Sequence, residues 1–383
     1  MNAELKTIAP KGENRLYKKI EKYIVEYIKS NNLTADDSLP SEREIGRVFK
    51  ASQIPVRRAI GNLEKEGILK RIKGKGAVVN KNVRSQVKTG KIGIFYCHND
   101  IRFFVYEYYA SMLGGIDQEA RKEKMNLLFQ NIMLKALENP VDTIQRLYDD
   151  LDGYILVGLH MAVYRKIKTT LESLKKPVVV LAYDILSDVI DMVSTDNRKN
   201  TYRLIDYLVS KGHKRIACVY RQPQYQDEPN PNYITRERAY EDALRQHGIP
   251  VDPKLVHVIN AKNDKVLDDY MGLPVYKKML AMDSPPTAIF FPAGSTVEHF
   301  YELAPKLSVR IPEDISVAAY DGSGFGDLAP RLTCNDTSLA EVGRAGVKLL
   351  LEKLNDTTGV PRSARTVLVD GSLIEGKSVK QIN

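Results

Sequence analysis

Residues 39–79 read LPSEREIGRVFKASQIPVRRAIGNLEKEGILKRIKGKGAVV. Ser41 opens the run Ser-Glu-Arg-Glu. A hydroxyl followed three residues later by a glutamate is a capping box, so a helix begins at Ser41. Ile45, Val48 and Phe49 are its apolar face. Ser52 reads as a second N-cap, with Pro55 in the first turn of the next helix, where a missing N–H costs little. Val56, Ile60 and Leu63 give that helix a buried face, and Gly67 ends it. Ile68 to Asn80 holds two short strand-like runs around the turn signal Lys73-Gly74-Lys75-Gly76. Upstream, Leu16, Ile20, Ile24 and Ile28 recur every fourth residue, one apolar helical stripe.

Two short helices joined by a tight turn and followed by a basic hairpin describe a winged helix-turn-helix. The charges fit that use. Residues 1–90 hold 20 Lys and Arg against 10 Asp and Glu, a net of +10, whereas the whole chain of 383 residues is +9. The excess positive charge therefore sits in the first quarter, as in a nucleic-acid-binding head on a near-neutral body. Arg57 and Arg58 fall on the outward face of the second helix, Arg43 and Arg47 on the first, and Lys70, Arg71, Lys73 and Lys75 on the wing. A major groove admits one helix and is read by side chains near its N-terminus, here Ser52, Gln53 and Ile54. The other use of such a head is protein contact, which would leave the basic helix and wing without a purpose.

Residues 13–80 resemble the DNA-binding domain of GntR-type bacterial regulators. The resemblance implies that Arg43, Ser52, Gln53 and Arg57 face DNA, and that Lys73, Gly74 and Lys75 bring the wing tip near a minor groove. The sequence departs from the family at Gln53-Ile54-Pro55, where Arg-x-Thr is frequent. Residues 1–80 are accordingly assigned to this domain. Residues 81–90, with little apolar content and no period, read as a linker.

From residue 91 strands alternate with helices. The strands are predicted at 91–96, 126–129, 153–157, 178–182, 215–220, 255–259, 287–291, 315–319 and 366–370. The helices are predicted at 105–123, 141–150, 163–174, 198–211, 234–247, 266–281, 296–304 and 338–354. GYILV (153–157) and VVVLA (178–182) are continuous apolar runs of the buried parallel kind. Repeated βα units imply an α/β fold with parallel sheets, and the length from 91 to 383 favours two lobes. Sites in such sheets lie beyond the carboxyl ends of strands. His160 follows the 153–157 strand, Tyr183 and Asp184 follow the 178–182 strand, and Asp321 follows the 315–319 strand. Carboxylates, guanidinium groups and rings at the mouth of a cleft suit a neutral polyol.

VSTDN (193–197), LVSKGHKRIACV (208–219), RERAYEDALRQHGI (236–249), AAYDG (318–322) and PRLTCND (330–336) follow in order. They resemble the effector domain of LacI-type regulators, which shares its two-lobed fold with periplasmic sugar-binding proteins. The resemblance selects Arg236 and Asp321 as sugar contacts, and Tyr109, with Tyr108 beside it, as the aromatic at the first helix. It departs at two places. The usual Asn-Asp after the 287–291 strand is Ala293-Gly294, and an Asp at the end of the 178–182 strand is Ala182. The implied lobes are 91–193 with 338–364, and 194–337 with 365–377.

A GntR-type head on a LacI-type body resembles the arabinose-repressor-like transcription regulators. That implies a homodimer, with helices 105–123 and 338–354 at the dimer contact, bound to near-palindromic double-stranded operator DNA. The cysteine usage, with no apolar leader or membrane span, points to the cytoplasm. It also implies release from the operator by a monosaccharide, a pentose or deoxyhexose such as L-arabinose or L-fucose. Two other readings stay open: a regulator sensing a nucleoside, purine or sugar phosphate, with Arg221, Lys262 and Arg331 as phosphate partners, and a sugar-binding enzyme with an accessory winged helix. The enzyme reading finds no GxGxxG after a strand, no GxxxxGK[ST] and no GxSxG. No metal or cofactor is expected, because His98, His160 and His299 are dispersed. The three cysteines, Cys97, Cys218 and Cys334, show no disulfide or zinc spacing. No run is long and apolar enough to span a membrane, so no membrane partner is expected.

Overall fold

The stripe of Leu16, Ile20, Ile24 and Ile28 folds as the buried face of α1 (Glu13–Ser30). It meets Ile45, Val48 and Phe49 of α2 (Glu42–Phe49) and Val56, Ile60 and Leu63 of α3 (Gln53–Lys65) in one apolar cluster. The capping box forms at the start of α2. The Ser41 hydroxyl accepts the Glu44 N–H, and the Glu44 carboxylate accepts the Ser41 N–H at 2.8 Å. Ser52 occupies the cap position of α3 but makes no capping bond. A serine cap holds the N–H of the second or third helical residue, and the third here is Pro55, which has none. The wing is the antiparallel pair β1 (Leu69–Ile72) and β2 (Gly76–Val79), in register from Leu69 opposite Val79 to Ile72 opposite Gly76. Gly74 and Gly76 turn it at φ +87° and +80°, a region other residues enter at a cost.

This computed structural model describes residues 13–31, 33, 35–80, 89–97, 107–132, 144, 151–159, 161–173, 176–185, 187–223, 230–261, 272–322, 331–356 and 363–382. The chain divides into two compact units, Met1–Lys91 with Arg146–Asp152, and Ile92–Gln145 with Gly153–Asn383. All of the helix expected at 141–150 except Ile144, and most of the 81–90 linker, lie outside the described residues.

The larger unit contains two six-stranded sheets. The first has the order β13-β7-β6-β5-β3-β4. Its strands are β3 (Lys91–Tyr96), β4 (Asn126–Asn131), β5 (Gly153–Val157), β6 (Val178–Leu181), β7 (Asp191–Thr195) and β13 (Thr366–Val369). The second has the order β14-β12-β11-β10-β8-β9. It comprises β8 (Ile216–Pro223), β9 (Val256–Ala261), β10 (Ala288–Phe291), β11 (Ser316–Ala319), β12 (Thr333–Asp336) and β14 (Ser372–Ile374). Within it only β14 runs antiparallel, to β12. The helices are α4 (Glu107–Lys122), α5 (Met161–Ser173), α6 (Asn197–Ser210), α7 (Pro231–Gln246), α8 (Leu273–Leu280), α9 (Gly294–Leu303) and α10 (Leu339–Leu354).

The chain passes between sheets three times, at Asp196, between Asp336 and Leu339, and at Asp370-Gly371. One boundary expected from sequence is corrected here. Residues 366–369 pair in parallel with β7 of the first sheet, so the last passage falls at Asp370 and not near 364. The apolar run TVLV could extend either sheet, so the run itself does not say which. Strands β7, β12 and β14 were not anticipated. Every residue of β7 is buried, yet Asp191, Ser194 and Thr195 interrupt its apolar run.

Helices α4 and α10, expected at a dimer contact, are packed on one another. A Cβ on Gly115 would lie 1.9 Å from the Ala340 carbonyl oxygen, and one on Gly343 would lie 2.1 Å from that of Met112. Only glycine permits this backbone approach. Gly343→Ala and Gly115→Ala should each lower the stability of this unit by about 1–3 kcal/mol in denaturant unfolding. The double variant should cost less than the sum, because helices already forced apart accommodate the second methyl group.

Candidate functional site

The head presents Arg43, Ser52, Gln53, Ile54, Arg57, Lys73, Gly74 and Lys75 on its exposed surface. Ile54 is 78% exposed, at the second residue of α3. Arg57 is held in place: its Nε donates to Glu42 Oε2 at 2.8 Å and its Nη2 to Gln53 Oε1 at 3.1 Å. The other Glu42 oxygen accepts from Arg71 at 3.3 Å, and Arg71 also donates to Glu64 at 2.8 Å. Lys70 pairs with Asp36, and the Arg58 guanidinium lies 4.3 Å over the Tyr17 ring. These three cations are therefore engaged inside the head, although sequence alone set them beside Arg57 and Lys73 on the basic surface.

The second candidate lies where the strand ends of the two lobes meet. Arg236, in α7, is 3% exposed. Its Nε donates to Asn197 Oδ1 at 2.8 Å and its Nη1 to the Pro292 carbonyl at 2.6 Å. Its guanidinium carbon stands 3.4 Å from the Tyr320 ring centre and 5.9 Å from that of Tyr233. Asp321, just beyond β11, approaches Arg236 to 3.8 Å, too long for a hydrogen bond. Its other oxygen accepts the Gly294 N–H at the start of α9 at 2.9 Å. Burial raises the Asp321 pKa, and Arg236 and the Gly294 N–H oppose that rise.

Tyr108 of α4, in the first lobe, lies within electrostatic reach of Arg236 and Asp321. Burial pushes its hydroxyl up, while Arg236 draws it down and Asp321 raises it further. Tyr108 and Tyr109 meet edge to face at 5.2 Å, and both rings pack on the first lobe's core. Tyr183 is buried, and burial raises its hydroxyl pKa as well. His160 lies outside the described residues.

Asp184 has a different surrounding from the one expected of an effector contact. Its Oδ1 accepts from Ser194 Oγ at 3.1 Å, and its Oδ2 accepts from Asn197 Nδ2 at 3.0 Å and Thr235 Oγ1 at 3.2 Å. Its N–H donates to Asn232 Oδ1, and Asn232 Nδ2 donates to the Ala182 carbonyl, both at 2.9 Å. Asp184 thus ties the end of β6 to α6 and α7. Thr195 and Tyr320 add a second tie, oxygen to oxygen at 2.8 Å. Sequence reasoning did not select Asn197, Asn232, Tyr233, Thr235 or Tyr320. A signal for two of them existed: Asn232 and Thr235 share one helical face with Arg236, Asn232 at spacings of three and four from the other two.

Among the described residues no group of three or more His, Cys, Asp or Glu could hold a metal ion, and no helix is long and apolar enough to cross a membrane. Residues 16–79 match the family model for bacterial regulatory proteins of the gntR family, and residues 205–379 match that for a periplasmic binding protein-like domain. The chain joins a GntR-type winged helix-turn-helix to a periplasmic-binding-protein-like effector domain.

It is 24% identical over 353 residues to the arabinose metabolism transcriptional repressor of Geobacillus stearothermophilus, covering 88% of this chain and 91% of that one. It is 27% identical over 254 residues to the transcriptional repressor CytR of Escherichia coli K12, covering 64% and 69%. Among solved structures it resembles a LacI family regulator from Enterococcus faecium with bound ribose, at a TM-score of 0.59 and 21% identity over 76% of this chain and 100% of that one. It also resembles a regulator CelR–cellobiose complex, at 0.63 and 18% over 85% and 90%. The two-domain build and these relatives make the chain a ligand-responsive transcriptional regulator of the LacI/GntR type, with a non-enzymatic role.

The Asp184 contacts give a direct expectation. In Asp184→Asn an amide nitrogen replaces one acceptor among three donors, which should cost about 1–3 kcal/mol of stability in the ligand-free protein. Thermal unfolding without ligand checks it. An unchanged midpoint would mean that Asp184 holds the lobes less than its geometry implies.

Proposed function

We propose that this regulator represses carbohydrate-utilisation genes and is released from its operator by a neutral monosaccharide, a pentose or a deoxyhexose such as L-arabinose or L-fucose. The supporting observation is the Arg236 guanidinium beside Asp321 and the Tyr233 and Tyr320 rings, with Tyr108 of the other lobe within electrostatic reach of both charges. A hydroxyl both donates and accepts, so it can bridge a guanidinium and a carboxylate that make no hydrogen bond with each other. Tyrosine rings supply an apolar face for the C–H side of a sugar. The Geobacillus relative, an arabinose metabolism repressor, is in keeping with this class. Tyr109, Tyr183, Asp184 and His160 complete the proposed set, Asp184 by holding the lobes together.

A phosphorylated sugar or a nucleoside is the second reading. Arg221 is near enough to lower the pKa of Tyr233, whose ring flanks Arg236, and so could receive an anionic group at the same cleft. On DNA, a homodimer would set two α3 helices in two half-sites of a near-palindromic operator. Arg43 and the wing at Lys73, Gly74 and Lys75 would take phosphates, and Ser52, Gln53 and Ile54 at the α3 N-terminus would read bases.

Thermal unfolding against monosaccharides, sugar phosphates and nucleosides tests the effector. A ligand at about 100 times its Kd adds about 2.7 kcal/mol of stability. A single pentose or deoxyhexose should stabilise the protein. Arg236→Ala should lose that shift and keep operator binding. Stabilisation only by phosphates or nucleosides would replace the neutral-sugar reading with the second.

The wing has its own test. Lys73→Ala with Lys75→Ala should flatten the dependence of log K on log salt by about 2 for each head, since each phosphate contact releases about one counterion. An unchanged slope would remove the wing from the DNA interface.

A further inference from the structure

Ile54 is the most exposed of the large apolar side chains among the described residues, at 78%. It stands at the second residue of α3, between Gln53 and Pro55. Lone apolar side chains on a protein surface need no explanation, but this one sits at the end of the helix that the DNA-binding reading places in a major groove. There the one apolar group on a base edge is the thymine C5-methyl.

Its neighbour Gln53 is oriented. A guanidinium can only donate, so the Arg57 Nη2 contact at 3.1 Å fixes the amide oxygen of Gln53 toward Arg57. The amide NH2 is thereby turned away from Arg57. Arg57 is in turn fixed by Glu42 at 2.8 Å, and the second Glu42 oxygen is taken by Arg71 of the wing. The α3 N-terminus therefore carries a donor beside a branched apolar side chain. Thymine offers the matching pair in the major groove, the O4 acceptor beside the C5-methyl.

We infer that Ile54 and Gln53 read a thymine in each operator half-site, Ile54 through the C5-methyl and Gln53 through its NH2, and that Glu42 is a positioning residue acting through Arg57. The inference rests on the DNA-binding reading and adds the base to it.

The full-length protein would first select its sites from duplexes with a randomised centre. Each thymine of a recovered site would then be replaced by deoxyuridine, which removes only the methyl group. At one thymine per half-site this should weaken wild-type binding about fourfold, the worth of one buried methyl group. Ile54→Ala should bind the recovered site more weakly and be indifferent to that replacement. Its unfolding midpoint should match the wild type, since the side chain is exposed. Glu42→Gln should narrow the ratio of recovered-site to random-duplex affinity while binding the random duplex more tightly, because an anionic group has left the DNA-facing surface. Recovered sites without an invariant thymine would overturn the inference, as would deoxyuridine costing nothing or costing Ile54→Ala as much as the wild type. A wild type that binds neither recovered nor random duplex at low salt would instead overturn the DNA-binding reading itself.

Discussion

A guanidinium 3% exposed between two lobes has to find partners for its charge and its N–H groups. Arg236 finds them at the ends of separate elements: Asn197 at the first residue of α6, the Pro292 carbonyl after β10, and the Tyr320 ring and Asp321 after β11. The carboxyl ends of two parallel strands and one helix start must converge for this to occur. Parallel βα units converge in that way, since every strand in the set points the same way and every following loop emerges on one rim. The fold and the site are therefore one constraint: the sheet order places the loops, and the buried charge fixes where those loops sit.

The polar ties around Arg236 also set how a ligand can act. Asp184 joins Ser194, Asn197 and Thr235, Asn232 joins Ala182 to Asp184, and Thr195 joins Tyr320. Most cross from one sheet to the other, close to the three strands of chain that connect them. At the last passage Asp370 is paired with Lys199 and Arg203, which hold its carboxyl below the usual range. An effector shifts such an equilibrium only by its differential affinity for the two arrangements. A contact that a ligand makes with both lobes at once is the kind that differs between them.

Much of this was legible in the chain. The capping box at Ser41, the stripe of α1 and the turn at Gly74 are local patterns, and local patterns settle short-range structure. Strands β3 and β5 were delimited to the residue because an unbroken apolar run, residues 92–96 after Lys91 and Gly153–Val157, marks each of them. What escaped depended on partners distant in sequence. Ser52 looks like Ser41 until Pro55 is counted as a residue without an N–H. Strand β7 is hidden by Asp191, Ser194 and Thr195, which are buried because residues elsewhere satisfy them: the Arg365 N–H reaches Asp191, the Asp184 carboxylate takes Ser194, and Tyr320 meets Thr195. Asp184 followed a strand as a ligand contact would, and only its three donors reveal a tie between lobes. Arg236 and Asp321 were selected through family resemblance, while spacing alone would have added Asn232 and Thr235.

Charge counting shows the same boundary between what a sequence states and what a structure decides. The excess positive charge does lie in the first 90 residues. Which of those cations can meet a phosphate is a tertiary matter. Lys70 is taken by Asp36, Arg71 by Glu42 and Glu64, and Arg58 by the Tyr17 ring. Arg57 is held by Glu42 and Gln53 on the exposed face of α3. An arginine already ordered loses less conformational freedom when it binds, so the surface acidic residues that lower the head's net charge also prepare its geometry. Glu42 at the first residue of α2 suits that task twice, because a carboxylate is favoured at a helix N-terminus and both of its oxygens are used on arginines. In the DNA-binding arrangement proposed above, the wing lysines would supply binding strength and the ordered end of α3 the sequence choice.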